Sequence, residues 1–350
     1  MSPTRRDVIH ALAGLGFAPL AARGLRAACG LPGASIDVER VVDGPIIHAG
    51  LDPSIGTNIQ GPSLIRTPDW LPNRLGRCYL YFADHKGSYI RLAYADDLKG
   101  PWSIHAPGAL HLPESNFLTE RPPVPEGRSP VPPREGVPSP ADSAVIPHIA
   151  SPDAHVRDDR REIVMYLHGL EGPSYQRSRV AVSPDGIHFT ASADVIGRSY
   201  IRAFRHDGWW YMMAMPGIFY RSRDGMPPLE EGPTLFEPDM RHAAVHLRGS
   251  TLFVFWSRAG DTPEHILVST VDVSGDWSGW RNSEERSLLK PERPWEGADL
   301  PLEPSIRDAV NVRVNQLRDP AVYAEDDRVY LLYAVAGEAG IGLARLDISC

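Results

Sequence analysis

The chain reads as an all-β protein, a five-bladed β-propeller. Three observations predict it. First, a pattern recurs: an apolar strand opening on a polar residue, a Gly or Asp turn, then a strand rich in Tyr, Trp and Leu. The clearest copies are Gln60-Gly61-Pro62-Ser63-Leu64-Ile65 with Cys78–His85, and Arg318-Asp319-Pro320-Ala321-Val322-Tyr323 with Val329–Tyr333. Repeats of this length are stacked units such as blades. Second, the strands are short and evenly separated by Gly, Asp and Pro. Third, amphipathic helix patterns are nearly absent after the N-terminus.

Residues 1–28 read as an export signal. Arg5-Arg6 precede the apolar run Ala11–Ala22 and then small residues, the order of a signal peptide. The arginine pair points to the twin-arginine route, and so to a periplasmic or secreted protein. A lipid anchor at Cys29 is disfavoured, because Arg26 sits where a small or apolar residue is required. Residues 29–49 read as an N-terminal extension and 50–350 as the propeller.

Within the propeller the repeats run from Asn58 to Trp102, from about Ala144 to Phe189, from Tyr200 to about Gly232, from Arg241 to Trp280, and from Gln316 to Leu346. The Pro-rich insertion near 118–142 reads as a long loop with neither regular sheet nor helix, since Pro removes a donor and fixes φ. It and a second irregular stretch, 290–315, are candidates to wall a cleft.

The bulk numbers narrow the partners. The formal charge of the 350 residues is -8, and residues 1–28 carry +3 of it, leaving -11 on the body. An acidic body without a basic stripe argues against nucleic acid. No later apolar run is long enough to span a bilayer as a helix. Three cysteines, Cys29, Cys78 and Cys350, make no disulfide framework, and no Cys/His spacing resembles a structural zinc site.

In a propeller the first strand of each blade lines one channel, so equivalent positions converge there. Aligned on strand starts, the ring holds Gly61, Asp153, Arg202, His242 and Asp319, with Asn58 and Gln60 just upstream. The ends of the second strands add Asp84, His85, His168, Arg258 and Glu338, and the second blade adds His155. Carboxylates, imidazoles and guanidinium groups converging on one mouth would make an acid/base site. Each also has a plainer role: Asp before Pro caps turns, and buried Arg and His pair with neighbouring blades.

Asn58–Ser63, Tyr79–His85 with Ile90–Ala93, Asp97–Trp102 and the closing Arg318-Asp319-Pro320-Ala321-Val322 together resemble five-bladed propeller glycosidases, nearest to glycoside hydrolase families 43, 32 and 117. The resemblance covers roughly residues 50–346. It implies a glycosidase site at the channel mouth, a carbohydrate substrate, no required cofactor, and room for an axial Ca²⁺. Those families place Asp in the first blade, Asp in the second and Glu in the third; here the matched positions hold Gly61, Asp153 and Arg202. Family 117 is known for a histidine acid, which His242 or His155 would supply.

The expectation is therefore an exported glycoside hydrolase. Asp153 and either Asp84 or Asp319 are its candidate carboxylates, and His242, His85 or His155 its proton donor. Asn58, Gln60, His85, His155, His168, Arg202 and Arg258 are candidate substrate contacts, Arg because guanidinium suits planar anions. Two rivals stay open: a polysaccharide lyase acting on uronate-containing glycans, and a carbohydrate-binding propeller without catalysis.

Overall fold

A computed structural model describes residues 34–126 and 135–349. The export segment, Cys29 and Cys350 lie outside the described residues. The strands form five antiparallel sheets in a ring, one per repeat. Blade 1 comprises Gln60–Arg66, Cys78–Ala83, Tyr89–Ala95 and Ser103–His111. Blade 2 comprises Ile149–Arg157, Glu162–Gly172, Tyr175–Ser183 and two short outer strands. Blade 3 runs from Arg202–His206 to Glu230–Thr234, and blade 4 from Met240–Arg248 to Arg286–Leu289.

Blade 5 corrects one expected boundary. Its inner three strands are Arg318–Glu325, Arg328–Ala334 and Gly340–Ser349, but its outer strand is Ser35–Arg40. That segment pairs in register from Ser35 with Ser349 to Arg40 with Ala344. The stretch 29–49, read from sequence as an extension, therefore supplies the strand that closes the ring. The alternation of Ile36 and Val38 with Asp37 and Glu39 is a half-buried edge strand, and it covers the longer edge of Gly340–Ser349 with a short charged one.

Five apolar clusters fill the five gaps between adjacent blades. Tyr79, Tyr81 and Leu92 meet Ile149, Met165 and Leu167 between blades 1 and 2. Leu80 and Phe82 meet Tyr323, Leu332 and Leu343 between blades 1 and 5. Alternate side chains of each middle strand thus face opposite neighbours, which is why these strands read as continuous apolar runs. Free Cys78 is buried in this packing, which pushes its thiol pKa up to about 11.

The inner strands carry the feature that positions the site. In four of them the register shifts by one residue near the start: between Gln60 and Ser63, Ala150 and Asp153, Arg241 and Ala243, and Arg318 and Ala321. Such bulges re-aim side chains. Gly61, Ser151 and Asp319 sit at positive φ there, at 61°, 50° and 47°, and Tyr200, just before the unbulged inner strand of blade 3, at 65°. Gly61 is needed for space as well, since a Cβ would come within 3.0 Å of Ser151 Cα.

The Pro-rich insertion also departs from expectation. Pro140–Ser143 forms one helical turn. Ser139 caps it by accepting from Asp142 N, and Pro140 occupies a first-turn position where its missing N–H costs nothing. Ser143 Oγ donates to Asp308 Oδ1 at 2.7 Å, tying the insertion to the 290–315 stretch over the channel mouth.

Candidate active site

The bulges split the expected ring into two. One turn of the channel carries Gly61, Ser151, Tyr200, His242 and Asp319. Two residues further along the same strands lie Ser63, Asp153, Arg202, Ala244 and Ala321, and all five line a cavity of about 630 Å³ at the far end. Asp153 and Arg202 therefore belong to the far end, whereas His242 and Asp319 belong to the mouth. Aligning Asp153 and Arg202 with His242 was off by two residues. The Pro after Gly61, Ser151 and Asp319 was the signal that would have aligned the blades correctly.

Asp153 is occupied where it stands. Its Oδ2 accepts from His155 Nε2 and from Ala203 N, both at 2.7 Å, and its Oδ1 lies 3.9 Å from Arg202. Burial alone would raise its pKa; His155, Arg202 and the Ala203 amide reverse that and hold it below the ordinary value. Arg202 plugs the channel: Nη1 donates to Pro152 O at 2.8 Å and Nε to Ala243 O at 3.0 Å, and the guanidinium sits 4.5 Å over the Tyr200 ring.

The mouth opens into a second cavity, also about 630 Å³, lined by His85, Lys86 and His242 with residues of both irregular stretches. Two imidazoles stand at its floor, each backed by a buried carboxylate. In the first pair, His85 Nδ1 lies 2.9 Å from Glu338 Oε1. Glu338 is fully buried and heavily held, since Arg318 Nη1 donates to Oε1 at 2.9 Å and Asn58 Nδ2 to Oε2 at 2.7 Å. Burial opposes its ionisation, but His85, Arg318 and Asn58 prevail and hold its pKa below the ordinary carboxylate value. With Nδ1 engaged, Nε2 is the His85 nitrogen left for a ligand.

In the second pair, His242 Nδ1 lies 3.1 Å from Asp319 Oδ1. The contact is close but not aligned as a hydrogen bond, so Nδ1 has no bonding partner and neither has Asp319 Oδ2. Tyr200 OH donates to Asp319 Oδ1 at 3.0 Å, and its ring stacks on His242 at 4.8 Å. Burial, then the nearby Glu338 charge, pushes Asp319 up to about 6. Burial, then Arg241, keeps His242 well below the usual imidazole value, so it is neutral at pH 7. The two rings face each other edge to face, 6.2 Å between centroids.

Behind the pairs runs an ionic chain. Glu264 lies 3.2 Å from Arg318 Nε and 3.5 Å from Arg241 Nη1, and accepts from Ser257 Oγ at 2.7 Å. These groups are buried, so each charge needs its partner. Among the described residues no group of three or more His, Cys, Asp or Glu could hold a metal ion. The mouth carboxylates already face guanidinium groups, a donor set that does not fit Ca²⁺.

The other expected residues take supporting places. Asn58 bridges Glu338 and the His85 amide, which it accepts at 3.0 Å. Asp84 Oδ1 accepts from Lys86 N at 2.8 Å and caps the turn that presents His85. Gln60 is buried with Oε1 unpartnered. His168 is buried 6.2 Å from Tyr200, and burial, then His85, lowers its pKa to about 3. Arg258 is engaged outside both cavities, with Glu285 at 2.6 Å and Asp239 at 3.4 Å. Glu264, Arg241 and Tyr200 were missed as site residues, because nothing in their local sequence marks them.

Comparison with known proteins agrees with the fold. The chain is 36% identical over 316 residues to the uncharacterized protein R118 of Acanthamoeba polyphaga mimivirus, covering 83% of each. No protein-family profile matches it. Among solved structures it is similar to CoXyl43, a GH43 beta-xylosidase/alpha-arabinofuranosidase from a compost microbial metagenome in complex with xylotriose, at TM-score 0.51 and 14% identity over 89% of this chain and 94% of that one. It is also similar to a GH43_1 enzyme from Xanthomonas citri complexed with xylose, at TM-score 0.52 and 13% identity over 89% and 90%. At such identity the likeness is one of fold, a five-bladed β-propeller.

Proposed function

The chain belongs to the same family as the mimivirus protein R118, and on this frame we propose that it is an exported glycosidase working at the mouth cavity. The observation that carries the reading is the two imidazoles at the cavity floor, each backed by a buried carboxylate, in electrostatic settings that push Glu338 and Asp319 in opposite directions. Carboxylates driven apart in this way give the histidines in front of them different settings, one suited to an acid and one to a base.

His85, oriented through Nδ1 by ionised Glu338, delivers a proton from Nε2 to the leaving oxygen as its bond to the anomeric carbon breaks. His242, held neutral, accepts at Nε2 the proton of the water that attacks that carbon, the water taking the place of Arg241 Nη2, which stands 3.3 Å from that nitrogen. Asp319 lies behind His242 and complements the imidazolium that forms. Export rests on Arg5-Arg6 and the apolar run that follows.

A second reading, β-elimination from a uronate glycan, is favoured by one observation: Asp319 and Glu338 sit behind the histidines and do not themselves line the cavity. A panel of plant and algal polysaccharides separates the readings. New reducing ends without ultraviolet absorbance mean hydrolysis, and absorbance from unsaturated ends means elimination. Binding with neither product leaves a carbohydrate-binding propeller.

A further inference from the structure

The cavity at the mouth is strongly basic on a chain whose formal charge is -8. Lys86, Arg177, Arg198, Arg241 and Arg307 line it against one carboxylate, Asp308. Arg241 is accounted for by Glu264. The other four have no carboxylate partner within ion-pair distance among the described residues. Arg307 Nη2 donates only to the carbonyls of Pro238 and Met240, at 2.7 and 3.1 Å. Arg177 Nη1 donates to Gln176 O at 2.8 Å and its guanidinium lies 3.6 Å over the Tyr175 ring. Asp308, the one acid, already accepts from Ser143 and Ala309 N.

These cations come from four separate elements: the turn after Ala83, blade 2, the start of blade 4 and the 290–315 stretch. Like charges gathered on one concave surface repel one another: burial, then Arg241, lowers the pKa of Arg307, and burial lowers that of Lys86 against the pull of Asp308. A concave wall with one sign of charge focuses a field on ligands of the other sign. Guanidinium groups additionally match carboxylate and sulfate oxygens in bidentate geometry.

The geometry points to an anionic substrate: we infer that the sugar seated at the mouth carries a carboxylate or a sulfate ester, recognised by Arg177, Arg198 and Arg307. The inference rests on the reading of this cavity as the substrate site. The neutral xylosides bound by the structural relatives would leave these cations without a counterpart.

The test is calorimetric titration of the purified protein at low salt with trigalacturonate, a sulfated carrageenan tetrasaccharide and xylotriose, repeated on Arg198→Gln and Arg307→Gln. The expected result is at least 10-fold tighter binding of one anionic sugar than of xylotriose, weakening as salt is added. Each substitution should then cost about 10-fold on that anionic sugar, as expected for a lost charge-assisted hydrogen bond, and little on xylotriose. Which anionic sugar binds tells carboxylate from sulfate. Equal binding of xylotriose, affinities unmoved in both variants, or no binding of either anionic sugar overturns the inference. Its failure is distinguishable from that of the glycosidase reading. Cleavage of xylotriose without anionic preference ends the inference alone, and tight anionic binding with no product from any polysaccharide ends the glycosidase reading alone.

Discussion

Asp319→Asn should make the protein more stable at pH 7 while removing its activity. Asp319 is fully buried, its Oδ2 has no hydrogen-bond partner, and its pKa is pushed from 3.8 up to about 6. A carboxyl with a folded pKa above its unfolded one contributes stability that is fully present below about pH 4. That stability is lost as pH rises through about 6. The gap of roughly two units corresponds to about 3 kcal/mol at neutral pH, at about 1.4 kcal/mol per unit. Coupling to Glu338, which is shifted the other way, makes this an upper figure. Asn keeps the acceptor for Tyr200 OH and tolerates the left-handed backbone at φ 47°. Urea melts of wild type and variant between pH 4 and 7.5 should therefore diverge as pH rises, with the variant ahead by about 2–3 kcal/mol at pH 7. Activity on the substrate found in the panel should fall by about 10²-fold or more. A variant less stable than wild type at pH 7 would refute the electrostatic account. A variant with full activity would remove Asp319 from the site.

The remaining substitutions sort the two ends of the channel. His85→Ala and His242→Ala should each lower kcat by about 10²-fold or more with little change in Tm, read by initial rates and thermal melts. Asp153→Asn should cost about 1–3 kcal/mol through its lost ionic bonds, and leave the specific activity of the folded protein intact, measured by denaturant titration beside activity per folded molecule. Deleting residues 35–40 from the mature chain should expose the blade 5 edge and produce aggregation visible by light scattering. Arg5→Lys with Arg6→Lys should retain the protein in the cytoplasm of its host, read by fractionation.

The fold was legible because every blade repeats the same physical demand. Middle strands such as Cys78–Ala83 and Arg328–Ala334 pack against two neighbours at once, so they must be apolar on both faces, and the Gly and Asp turns between them are local chemistry. The closing strand was not legible. Ser35–Arg40 pairs with a partner more than 300 residues away, and six residues of alternating polarity carry no mark of that distance.

The site was half legible for a related reason. Counting residues from the strand start assumes a regular pleat, and a one-residue bulge breaks that count. Such a count places Asp153 level with Asp319, whereas the counterpart of Asp319 in blade 2 is Ser151. What the sequence did carry was the Pro after Gly61, Ser151 and Asp319, which marks the bulged position in three blades. Once that mark fixes the register, one turn of the channel contains a single carboxylate, Asp319, and a single imidazole, His242. The second pair has to come from loops at the ends of second strands, where Asn58 and Arg318 hold Glu338 against His85. The first three blade starts hold Gly61, Ser151 and Tyr200, none of them a carboxylate. On the proposed reading the acid–base work falls to two imidazoles, each backed by a carboxylate. On that reading His242, held well below the usual imidazole value, stays a competent base on the acid side of neutrality, and the rate falls there as Asp319, pushed up to about 6, loses the charge that complements it.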